Sequence, residues 1–134
     1  MIDKIKNKEN VMILFLNTFY EWDLTPSEYE FEHYDAYGFS PKKNNSVMEM
    51  KFRDTHYDTM MLEKMKYDHL MNMPEDILKF YLVQDPTGIY IFWLQNIDKS
   101  SCVIYEMGIL CCVCLLPKRH HQYAADPTRR MYQM

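Results

Sequence analysis

The chain has 134 residues, 48% of them hydrophobic, with only three glycines and a net charge of −4. Such a composition suits a single packed domain spanning residues 1–134 and excludes a disordered or repetitive chain. It also excludes a protein that holds nucleic acid by bulk positive charge, since that mode needs Lys and Arg to displace counterions.

Residues 4–22 carry Ile5, Met12, Phe15, Leu16 and Phe19 near helical spacing without a proline, which predicts a first helix. Thr25-Pro26 marks its end. Residues 29–35 alternate aromatic and polar side chains, the pattern of a half-exposed strand. Strict alternation puts Asp35 on the side of Tyr29, Phe31 and His33, so a bulge or the strand end has to turn it elsewhere. Gly38, Pro41 and Asn44-Asn45 form a turn-rich connection to a second strand over 47–52, giving a hairpin-like pair.

Asp54 or Thr55 then caps a helix over 57–71, with Pro74 beyond its end. Residues 79–83 and 89–94 read as short apolar strands joined by the turn 84–88. Residues 101–105 and 109–116 are further strand candidates, and 130–134 would add an edge strand. This order gives an α/β fold, a mixed central β-sheet flanked by helices.

Charge is unevenly placed. Acidic residues gather between Glu21 and Asp35, whereas Lys42, Lys43, Lys51, Arg53, Lys64 and Lys66 make the middle basic. A basic rim around an acidic site fits that asymmetry. The apolar stretches 11–16 and 109–116 are too short for a secretion signal or a membrane span, so a soluble, cytoplasmic protein is expected. Cys102, Cys111, Cys112 and Cys114 crowd into a β-like stretch where most pairings would be strained, so reduced thiols are expected.

The chemistry is concentrated in Asp35 and in Glu49-Met50-Lys51 on the strand 47–52. In an extended strand Glu49 and Lys51 share one face while Met48, Met50 and Phe52 fill the other. Two carboxylates, Asp35 and Glu49, suit Mg²⁺ or Mn²⁺, hard cations that prefer oxygen ligands and leave room for a substrate phosphate. Lys51 would orient the attacking water or stabilise the extra negative charge of the transition state.

Asp35, the Glu49-Met50-Lys51 motif and the following helix with Glu63, Lys66 and Tyr67 resemble the PD-(D/E)XK nuclease superfamily, particularly its small phage and prophage members and the junction resolvases. The resemblance runs from Glu9 to about Leu94. It implies a restriction-endonuclease-like core, a metal-dependent DNA endonuclease activity, and a first-helix glutamate near the metal, for which Glu9 is the natural candidate. A junction-resolving role on a homodimer, in a bacterial host cell, follows by analogy. One departure is Tyr34, which stands where the family often has proline before its aspartate.

Lys42, Lys43, Arg53 and Lys66 are the candidate DNA contacts, although Glu63 and Lys66, three apart on a helix, also suit an ordinary ion pair. His33, His56, His69 and His120-His121 invite a metal reading. The spacing Cys111-Cys112-x-Cys114 does not, because adjacent strand residues face opposite ways. The alternative to a nuclease is a non-catalytic phage protein on the same scaffold, binding DNA or a host or virion partner.

Overall fold

The structure, a computed structural model, describes residues 2–28, 34–57, 61–96, 105–107 and 110–112. Helix α1 (Ile2–Phe19) is followed by β1 (Asp23–Pro26), β2 (Ala36–Phe39), β3 (Asn45–Phe52), α2 (Lys64–Met71), β4 (Leu78–Asp85) and β5 (Gly88–Trp93). A short 3-10 turn (Leu94–Asn96) and a small pair, β6 (Tyr105–Met107) with β7 (Leu110–Cys112), complete the described elements. The five larger strands form one sheet in the order β1-β2-β3-β4-β5. Only β3 and β4 run parallel, and α2 makes the crossover between them, as parallel neighbours require. The mixed sheet flanked by helices is the expected α/β fold.

Alternation along the strands divides the apolar residues between two faces. Met48, Met50, Phe80, Leu82 and Ile91 face α1, which supplies Met12, Ile13 and Leu16. Val47, Tyr81, Val83 and Phe92 point the other way, under Leu62 and Leu70 around α2. Asn17 ties α1 to the sheet edge. Its amide accepts from the Leu24 N–H at 2.9 Å and donates to the Leu24 carbonyl at 3.0 Å.

Several boundaries differ from the sequence expectation. Helix α1 stops at Phe19 because Glu21 adopts φ 65°, and the Trp22 N–H turns back to the Leu16 carbonyl at 3.4 Å. This is a left-handed helix ending that usually recruits glycine. Thr25-Pro26, expected to terminate the helix, belongs instead to β1. The strand expected over 29–35 lies partly outside the described residues; Tyr34 and Asp35 form a bend, and the hairpin partner of β3 is Ala36–Phe39. Of the helix expected over 57–71, only 64–71 is helical among the described residues, and 58–60 lie outside them. The strands expected over 101–105 and 109–116 are described only in part, and the edge strand 130–134 lies outside the described residues.

Candidate metal and DNA site

The strand end turns Asp35. β2 begins at Ala36, paired with Met48, so beyond that point the edge of β3 is no longer covered by β2. Asp35 is fixed there through three bonds. Its N–H donates to the Met48 carbonyl at 2.9 Å, its carbonyl accepts from the Ser27 N–H at 3.0 Å, and its Oδ2 accepts from the Met50 N–H at 2.7 Å.

Glu49 stands beside this gap with 5% exposure. Its strand partner on β4 is Tyr81, so it lies on the face covered by α2. From that helix Lys66 donates through Nζ to Glu49 Oε1 at 2.9 Å. Glu9 approaches from α1, 7% exposed, with Lys6 Nζ 3.7 Å away. Lys6 Nζ also donates to the Ser27 carbonyl at 3.1 Å, so the same amine ties α1 to the segment that holds Asp35. The hairpin and first helix therefore place Glu9, Asp35 and Glu49, which are widely separated in sequence, within electrostatic reach of one another.

The electrostatics follow from that crowding. Burial pushes Glu49 up to about 8, the Asp35 charge adds to the rise, and Lys66 opposes it. Glu9 is raised to about 7, first by burial and then by the charge and hydrogen bonding of Asp35. Burial disfavours the charge on Lys66, but Glu49 overcomes this and holds the ammonium above its usual range. Neighbouring carboxylates of this kind are relieved by a proton or by a cation.

The oxygen-rich set fits a hard divalent ion. Among the described residues, though, no three acidic, histidine or cysteine side chains converge closely enough to ligate one. The carboxylates feel one another electrostatically while Lys6, the Met50 N–H and Lys66 draw them to separate partners. Asp35 and Glu49, with Glu9, are the residues that would hold the ion.

Lys51, two positions beyond Glu49 on the same face, is exposed and makes no ion pair among the described residues. Lys42 and Lys43 are exposed on the β2–β3 turn. They lie beyond Asn45, which is itself roughly 13 Å along the strand from Glu49, counting four residues of strand rise. Arg53 bends inward, donating through Nη2 to the Met61 carbonyl at 3.1 Å and lying 5.9 Å over the Tyr57 ring.

Sequence reasoning placed Lys66 on the helix after the motif but missed its bond to Glu49. The signal was the crossover itself, since a helix joining parallel β3 and β4 must lie over the face that carries Glu49. His56 belongs to a separate network. Its Nδ1 lies 2.8 Å from the buried Asp85 Oδ2 and 2.9 Å from Thr87 Oγ1, tying the segment after β3 to the β4–β5 turn. His33, His120, His121, Cys102 and Cys114 lie outside the described residues.

No family model matches this sequence, and neither does any curated protein. The fold is similar to the solved structure of Hjc, a Holliday junction resolvase from the archaeal hyperthermophile Archaeoglobus fulgidus. The two share 10% sequence identity with a TM-score of 0.59, over 87% of this chain and 91% of that chain. At that identity the likeness is one of fold.

Proposed function

We propose that this chain is a divalent-metal-dependent DNA endonuclease of the PD-(D/E)XK type, preferring branched DNA such as a four-way junction. What supports this reading is the electrostatic coupling of Glu9, Asp35 and Glu49, carried on α1, the bend before β2 and β3, with two of the three carboxylates raised to about 7 and 8. The resolvase fold of the structural neighbour supports the substrate class. Among the described residues no helix is long and apolar enough to cross a membrane.

Each side chain has a separate task. Asp35 and Glu49 hold Mg²⁺ or Mn²⁺, and Glu9 completes the acidic set. A bound ion supplies polarisation of the scissile phosphate and acidification of a water molecule. Lys51, exposed on the open side of Glu49, places its ammonium against the charge that develops on the phosphate. Lys42 and Lys43 meet the backbone farther along the hairpin and Lys66 nearer the cut, whereas Arg53, turned onto the Met61 carbonyl, holds the start of α2. A homodimer would place two such sites for symmetric incision.

Incubation with supercoiled plasmid, single strands and a synthetic four-way junction, in Mg²⁺, Mn²⁺ or EDTA, tests this directly. Cleavage confined to the metal lanes and fastest on the junction is the expected outcome; an inert protein in every lane contradicts it. One observation favours a second reading, a DNA or protein binder on the same scaffold: the Glu49 carboxylate is already satisfied by Lys66. Junction binding that is unaffected by EDTA, with no cleavage, would select that reading.

A further inference from the structure

We infer that Lys66 is a placeholder cation, bound to Glu49 until a metal ion takes the carboxylate and then released to a phosphate of the DNA. The inference rests on the nuclease reading and adds a residue that moves between two partners.

Two lysines flank Glu49, and their surroundings differ. Lys51 is exposed with no ion-pair partner among the described residues. Lys66 approaches from the crossover helix, its Nζ 2.9 Å from a carboxylate whose side chain is only 7% exposed. A buried carboxylate without a partner is costly, so in the metal-free protein Lys66 supplies the missing charge once Glu49 has lost its proton. A metal ion at the same oxygen removes the reason for the ammonium to stay. The side chain of Lys66 is 41% exposed, and a flexible four-carbon stem lets the ammonium turn outward without moving the helix.

The helix is anchored so that this aim is set by the sheet. The Met61 carbonyl, just before α2, accepts from Arg53 Nη2 at 3.1 Å and from the Tyr81 hydroxyl at 2.8 Å. Arg53 follows β3 directly, and Tyr81 is the β4 partner of Glu49. The residues that position Glu49 therefore also position the start of α2. Lys64 is held separately by Asp68 at 2.6 Å, which leaves Lys66 as the α2 amine directed at the site.

The test compares wild type with Lys66→Met and Lys66→Arg through two readouts other than cleavage. In calorimetry at pH 8.5, after correction for the proton that Glu49 releases on binding, Lys66→Met should bind Mn²⁺ about fivefold more tightly, because a competing positive charge has gone. Lys66→Arg should stay near wild type. In junction binding followed against salt, the slope of log K against log [salt] should be the same for wild type and Lys66→Met in EDTA. In Ca²⁺ the slope for Lys66→Met should be shallower by about 0.9, one phosphate contact.

Equal Mn²⁺ affinity in wild type and Lys66→Met, or equal salt slopes in Ca²⁺, would overturn the placeholder role while leaving the nuclease reading intact. A wild type that takes up no Mn²⁺ would remove both. Circular dichroism of each variant verifies that the chain is folded, and Lys66→Gln, which also removes the charge, keeps the comparison available should Lys66→Met fail to fold.

Discussion

Glu9 and Glu49 carry their protons far longer than exposed carboxylates do, and this has a consequence for stability. Their folded values of about 7 and about 8 lie above the ordinary 4.5. Between those limits the folded chain binds more protons than the unfolded one, so their contribution to stability falls as pH rises. It is fully present below about pH 4.5 and lost by about pH 8 in metal-free buffer. Thermal denaturation in EDTA from pH 5 to pH 9 should therefore show a decline that Glu49→Gln flattens, since a neutral amide has no proton to lose. A wild-type slope equal to that of Glu49→Gln would show that Glu49 is not held protonated. Added Mg²⁺ should restore the most stability at the alkaline end, where the proton no longer competes for the carboxylates.

At the scale of elements, two backbone positions set the edge from which Asp35 is suspended. Gly38 in β2 has φ +149°, and a Cβ placed there would lie 2.0 Å from the Asp23 carbonyl oxygen of β1. Gly38→Ala should therefore cost about 2 kcal/mol or more, measured by urea denaturation; a loss under about 0.5 kcal/mol would mean that β1 can retreat freely. Glu21, at φ 65°, should respond in the opposite direction, Glu21→Gly gaining about 0.5–1 kcal/mol.

These positions also explain what the sequence concealed. Helix α1 ends at a residue that is not glycine, so no punctuation marked the stop. Pro26 closes β1, an outer strand of the sheet where its missing N–H is tolerated, yet in the sequence Thr25-Pro26 reads as a helix boundary. By contrast, β3, β4 and β5 were legible from their continuous apolar runs and the Asp-Pro-Thr-Gly turn. The start of α2 was not, because its placement depends on Arg53 and Tyr81 gripping the Met61 carbonyl, contacts that no local pattern encodes.

For the whole molecule, the candidate site is a product of topology. Glu9 lies on the helix over one face and Glu49 on the other face, and they approach only because β2 ends at Ala36 and opens the sheet beside β3. The Glu-x-Lys pattern was readable because strand alternation fixes its face, whereas the direction of Asp35 depends on the bend that precedes β2. The meeting with Glu9 came by family resemblance, and the engagement by Lys66 came only from the folded chain. The homodimer proposed for symmetric incision is checked by native mass measurement of the full chain: a dimer supports paired incision, a monomer at micromolar concentration opposes it.

The most direct single measurement is nicking of supercoiled plasmid in Mg²⁺ by wild type, Asp35→Asn and Glu49→Gln, each verified as folded by circular dichroism. The acidic-site account predicts metal-dependent nicking by wild type and a loss of at least about 100-fold in each variant. Equal activity in all three proteins, or none in wild type at any metal concentration, would contradict it.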